Sequence, residues 1–101
     1  MNITIPANTV NPHILLTKAG YNAHPNDSYV LRVGGGNFPR FHVYFTKNAS
    51  GDLHLNLHLD QSPAVSVGMK AHHGEKNTDV VQKEAERLQR WIGYYQSINR
   101  H

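Results

Sequence analysis

The sequence predicts an α+β domain. It combines a three- or four-stranded antiparallel sheet with a short N-terminal helix and a long C-terminal helix, both packed on one sheet face. Three observations carry this. Leucine alternates with polar residues without a break through LHLNLHLD, residues 53–60, which is the period of a strand buried on one side. Apolar residues recur at spacings of three and four from Val81 to Tyr95, which is the period of an amphipathic helix. Clusters of glycine, proline, asparagine and serine separate the periodic segments and read as turns. The 101 residues fit a single domain over 1–101, and a chain of that length buries roughly 60–70% of its unfolded surface.

Each element has a local cause. Asn11 suits the N-cap, because its side chain can accept from free first-turn amides, and Pro12 suits the first helical position. Gly20 suits the stop, so a helix is expected over 12–19. Residues 22–28, NAHPNDS, read as a loop. YVLRV, 29–33, reads as a strand, and GGGN, 34–37, as a tight reversal after it, since glycine accepts positive φ. RFHVYF, 40–45, sets Phe41, Val43 and Phe45 on one face and Arg40, His42 and Tyr44 on the other.

The loop KNASG, 47–51, then leads into residues 53–60. Burial sets the parity of this hairpin, because a one-residue slip would put Phe against His. Pairing Val43 with Leu55 places Tyr44 opposite His54, His42 opposite Asn56 and Arg40 opposite His58. AVSVGM, 64–69, is a candidate fourth strand weakened by Pro63 and Gly68. The last helix starts after Asn77, where Asp79 with Gln82 resembles a capping box.

Composition excludes several chemistries. The chain has no cysteine, which removes disulfides, thiolate metal sites and cysteine nucleophiles. No stretch approaches the ~20 apolar residues of a membrane span, and MNITIPANTVNP lacks the pattern of a secretory signal. A cytoplasmic chain without a membrane partner is therefore expected. Ten Lys and Arg against seven Asp and Glu leave a mild net charge of +3. Eight histidines titrate near pH 6.5, so affinity for anions should rise as the pH falls.

Leucines facing a core leave the imidazoles on the water side of the sheet. A solvated polar face is the plain reading. A first chemistry for such a face is metal-independent work on RNA, which carries its own 2′-hydroxyl nucleophile. His42 and His54 would then exchange protons as general acid and base. Arg40 and His58 would hold the phosphate and Tyr44 would stack on a base. Lys83, Arg87 and Arg90, at i, i+4 and i+7, would extend the nucleic-acid contact along the last helix. RNA binding, with or without cleavage and needing no cofactor, is the leading expectation.

The alternative is a site for zinc or another divalent transition metal using His42, His58, His72 and His73. His54 and His58 lie about 13 Å apart along a strand, too far to share one ion. A third reading is a non-enzymatic module that binds a protein partner, with exposed Tyr94 a candidate homodimer contact.

The order helix, three strands, helix resembles the double-stranded-RNA-binding-domain-like fold. Within that group LLTKAGY, 15–21, resembles the first helix of HicA-type toxins, small ribonucleases that cleave messenger RNA. The resemblance implies RNA as the substrate class. The family's Gly-Ser-His element, which carries its catalytic histidine, is absent here, so His24 in HPNDSY, 24–29, takes no role from it.

Overall fold

The alternation in LHLNLHLD does form a strand, with the predicted limits, and it lies inside a larger sheet than the sequence suggests. The structure is a computed structural model that describes residues 1–36, 38–61 and 78–98. Among these residues five strands occur: β1 Asn2–Ile5, β2 Asn22–His24, β3 Ser28–Arg32, β4 Arg40–Lys47 and β5 Leu53–Asp60. Helix α1 spans Pro12–Lys18 and helix α2 spans Thr78–Ile98. The sheet order is β1-β5-β4-β3-β2, and every neighbouring pair is antiparallel.

The α+β class and the placement of both helices on one face are as the sequence predicts. Leu15 and Leu16 of α1 and Ala85, Leu88 and Ile92 of α2 share one buried cluster with Ile3, Val43, Leu55 and Leu57 of the sheet. Burying each such leucine or isoleucine is worth roughly 1.5–3 kcal/mol. Helix α1 has the predicted caps. The Asn11 carboxamide oxygen accepts from the His13 amide at 2.8 Å. At the other end Gly20 sits at φ +102°. There the Tyr21 amide donates to Leu16 O at 2.9 Å and the Gly20 amide to Thr17 O at 3.0 Å, the paired bonds of a Schellman stop. In α2, Asp79 falls within the first turn rather than at the cap.

Two strands are additions to the expected set. β1 alternates exposed and buried over NITI and pairs Ile3 with Leu55 and Ile5 with Leu53. β2 turns the expected 22–28 loop into a hairpin that pairs His24 with Ser28. Its turn holds Asn26 at φ 66° and Asp27 at φ 55°, a conformation that Asn and Asp tolerate better than most residues. The candidate strand at 64–69 lies outside the described residues.

The β4–β5 register differs from the expected one by two residues. Val43 pairs with Leu57, His42 with His58, Tyr44 with Asn56, Arg40 with Asp60 and Thr46 with His54. The turn causes this. The Asn48 amide donates to Asp52 O at 2.9 Å, and the Asn48 carboxamide oxygen accepts from the Ser50 and Asp52 amides at 3.0 and 2.9 Å. Residues 48–52 are thereby held out of the ladder. A shift of two keeps every side chain on its face, so the core is unaffected while the polar face is rearranged.

Gly51 sits in that turn at φ +92°, and a Cβ there would lie 3.3 Å from the Ala7 Cβ. Gly51→Ala should therefore cost about 1–2 kcal/mol. In the β3–β4 connection Gly34 lacks a positive φ, and a Cβ there would meet nothing within 4 Å. Gly34→Ala should stay within about 0.5 kcal/mol of the parent. Urea midpoints of the two variants check the contrast.

Candidate functional site

The register decides which polar side chains meet. On the face turned away from the helices, β4 contributes His42 and Tyr44, β5 contributes His58 and Asp60, β3 contributes Ser28 and β2 contributes His24. The His42 ring centroid lies 4.4 Å from that of Tyr44 and 5.4 Å from those of both His24 and His58. These neighbours reduce His42 to 7% exposure, while Tyr44 stays 41% exposed. The expected open row of imidazoles is thus corrected at its centre: His42 is buried by the rings beside it.

Hydrogen bonds fix how His42 is used. The Ser28 hydroxyl donates to Pro25 O at 2.8 Å. A hydroxyl has a single proton, so Ser28 Oγ meets His42 Nε2, at 3.1 Å, as an acceptor. Nε2 therefore carries hydrogen, and His42 Nδ1 points at Asp60 Oδ2 at 2.9 Å. In a neutral ring of that tautomer Nδ1 presents a lone pair to a carboxylate. The contact is favourable only with a positive centre between them, either a proton or a metal ion.

Asp60 reaches the second imidazole as well, with Oδ1 3.2 Å from His58 Nε2. One donor atom from each of His42, His58 and Asp60 fits within a 4.8 Å span. Burial pushes the His58 imidazole below its ordinary pKa, outweighing the lift from the Asp60 carboxylate, and the nearby His42 adds to the lowering. A neutral imidazole is the form that ligates metal.

Arg40 stands at the edge of this cluster. Its Nε is 3.7 Å from Asp60 Oδ2, is buried, and has no hydrogen-bond partner among the described residues. Its guanidinium lies 4.5 Å from the Phe38 ring centroid. Ser28, His42 and Asp60 together have the connectivity of a nucleophilic triad. Ser28 is only 1% exposed, however, and its proton is committed to Pro25, so it orients His42 rather than attacking a substrate.

The remaining predicted residues do not join this cluster. His54 pairs with Thr46 and bonds Thr4 Oγ1 and Asn48 Nδ2, both at 3.3 Å. It is four residues along β5 from His58, about 13 Å, so His42 and His54 do not form a working pair. Lys83, Arg87 and Arg90 belong to α2, across the sheet from the histidines. Arg87 is engaged already: its Nε and Nη2 donate to Glu84 at 2.8 Å, and Nη2 also donates to Ala19 O at 2.8 Å. His72 and His73 lie outside the described residues.

Three members of the cluster, Asp60, Ser28 and His24, had no role in the sequence reading. Asp60 carried a signal, since it shares the parity of His58 two positions earlier. Ser28 carried none, because the β2–β3 hairpin reads as a loop. The chain matches no protein-family model, no curated protein and no solved structure at a significant level, so the chemistry of this face rests on its geometry.

Proposed function

We propose that the protein binds a divalent transition metal through His42 Nδ1, His58 Nε2 and a carboxylate oxygen of Asp60. The observation that carries this is the set of three donors within 4.8 Å, with Ser28 Oγ placed 3.1 Å from the opposite nitrogen of the His42 ring. Metal-bound histidines usually give their second N–H to such an acceptor. Two imidazoles and a carboxylate suit zinc and its first-row neighbours. In a tetrahedral site with ligands at about 2.0–2.2 Å, donors lie roughly 3.3 Å apart. His42 Nδ1 lies 2.9 Å from Asp60 Oδ2 and His58 Nε2 lies 3.2 Å from Asp60 Oδ1, so the carboxylate faces one imidazole with each oxygen and either oxygen can serve as the third ligand. Three protein ligands leave a coordination position for water or a substrate, as in catalytic rather than structural sites.

Titrating the chain with zinc, nickel or copper tests this. At 100 times the dissociation constant, binding stabilises by about 2.7 kcal/mol, which raises the melting temperature of a domain this size by about 10–20 °C. Asp60→Asn should remove the shift, and Ser28→Ala should weaken binding about 10- to 100-fold. Arg40→Gln should strengthen it, because the Arg40 charge competes with a metal ion for Asp60. Acid should weaken it. Protons compete with a metal ion for an imidazole nitrogen, so affinity falls as the pH drops. The lowered pKa of His58 carries its share of that loss to lower pH. No thermal shift in metal excess overturns the reading. RNA cleavage that persists in chelator would favour proton transfer by this face instead.

A further inference from the structure

A second surface, on the helical side of the sheet, has a different chemistry. A groove of about 510 Å³ is lined by Lys18, Arg87, Arg90, Trp91, Tyr94 and Tyr95. Helical spacing explains the grouping, because residues three and four apart share a face. Among the described residues the lining holds three cations, three aromatic rings and no carboxylate. The nearby Glu84 is 6% exposed and turned to Tyr21 and Arg87. Arg87 is neutralised by that contact, so exposed Lys18 and Arg90 supply the groove's positive charge.

The rings are arranged as a platform. Trp91 stacks on Tyr95 at 6.3 Å with an interplanar angle of 26°. Tyr94 stands edge-on to both, at 6.2 and 5.1 Å, and is 54% exposed.

We propose that this groove binds single-stranded nucleic acid, with a base stacked on Tyr94 and the flanking phosphates on Lys18 and Arg90. A nucleic-acid strand offers an apolar ring face and an anionic group in every repeat, matching both halves of the lining. An acidic peptide would satisfy the cations and leave the rings without partners. A second copy of this chain, itself at net charge +3, would bring like charge to the groove. The proposal is independent of the metal reading, since no residue is shared.

Trp91 is the single tryptophan, so its fluorescence reports the groove directly. The test titrates the full chain with a fluorescein-labelled twelve-nucleotide oligouridine, in chelator and low salt, following Trp91 quenching and label anisotropy. Binding should quench Trp91. Tyr94→Ala should weaken it about 5- to 150-fold, the range for loss of one base stack. Arg90→Ala should reduce the salt slope by about 0.7. Lys47→Ala, which removes the same charge from an exposed position on β4, should leave affinity near the parent value. Both test positions are exposed, so folding is retained and far-ultraviolet circular dichroism verifies it. The proposal is overturned by absent quenching, by equal losses in Arg90→Ala and Lys47→Ala, by polyglutamate competing as well as the oligonucleotide, or by self-association that accounts for the signal.

Discussion

Glu84→Ala is expected to destabilise the fold by about 3 kcal/mol, the low end of the range for breaking a buried ion pair, because the Arg87 side chain keeps 34% exposure. Glu84 sits on the core-facing side of α2 and is a hub of charge-assisted bonds. The Tyr21 hydroxyl donates to its Oε2 at 2.6 Å, and Arg87 donates to both of its oxygens at 2.8 Å. Arg87 in turn caps Ala19 O, so the network ties the end of α1 to the middle of α2.

Removing the carboxylate strands a buried phenol and a half-buried guanidinium. Their protonation states agree with this role. Burial, reinforced by the Glu84 charge, drives the Tyr21 hydroxyl far above the usual tyrosine range, which keeps it a donor at any accessible pH. The Glu84 bonds likewise raise the Arg87 pKa. Tyr21→Phe removes a single bond to a charged acceptor and should cost only about 1.5–3 kcal/mol. Urea denaturation of both variants gives the comparison. A Glu84→Ala loss below that of Tyr21→Phe would contradict the hub role, since Glu84→Ala removes all three bonds.

Leu57→Ala should cost about 2–5 kcal/mol. Leu57 is fully buried, faces Val43 across the β4–β5 ladder, and belongs to the cluster that joins sheet and helices. Alanine there leaves a void beside Val43, inside the cluster that joins sheet and helices. Leu59, two positions on, is only partly buried at the edge of the same cluster, so Leu59→Ala should cost clearly less. The comparison is read from urea midpoints at constant slope, which keeps the loss assigned to the native state. Equal losses would contradict the burial gradient along β5.

The core was legible in the sequence because its signals are long and periodic. Residues 53–60 alternate over the whole of β5, and the α2 stripe repeats across several turns. β1 and β2 were not legible, since four and three residues are too few to establish a period. The candidate site was hidden for a sharper reason. Pairing Val43 with Leu55 or with Leu57 buries the same side chains, so hydrophobic pattern cannot choose between the two registers. The Asn48 turn chooses, and the choice places His58 rather than Asn56 beside His42. Arg87 shows a related limit. Its spacing with Lys83 and Arg90 reads as a solvated stripe, while a carboxylate three residues earlier holds it against the end of α1.

The short outer strands have a consequence for handling the protein. Among the described residues β4 and β5 are the longest strands, at eight residues each, and they are the kind of apolar-polar ribbon that templates intermolecular cross-β growth when left bare. Among the described residues they occupy the interior of the sheet order, with β1 and β2 at its ends. Strands this brief, at four and three residues, give an incoming chain little backbone to zip onto, so the two long ribbons are flanked rather than bare.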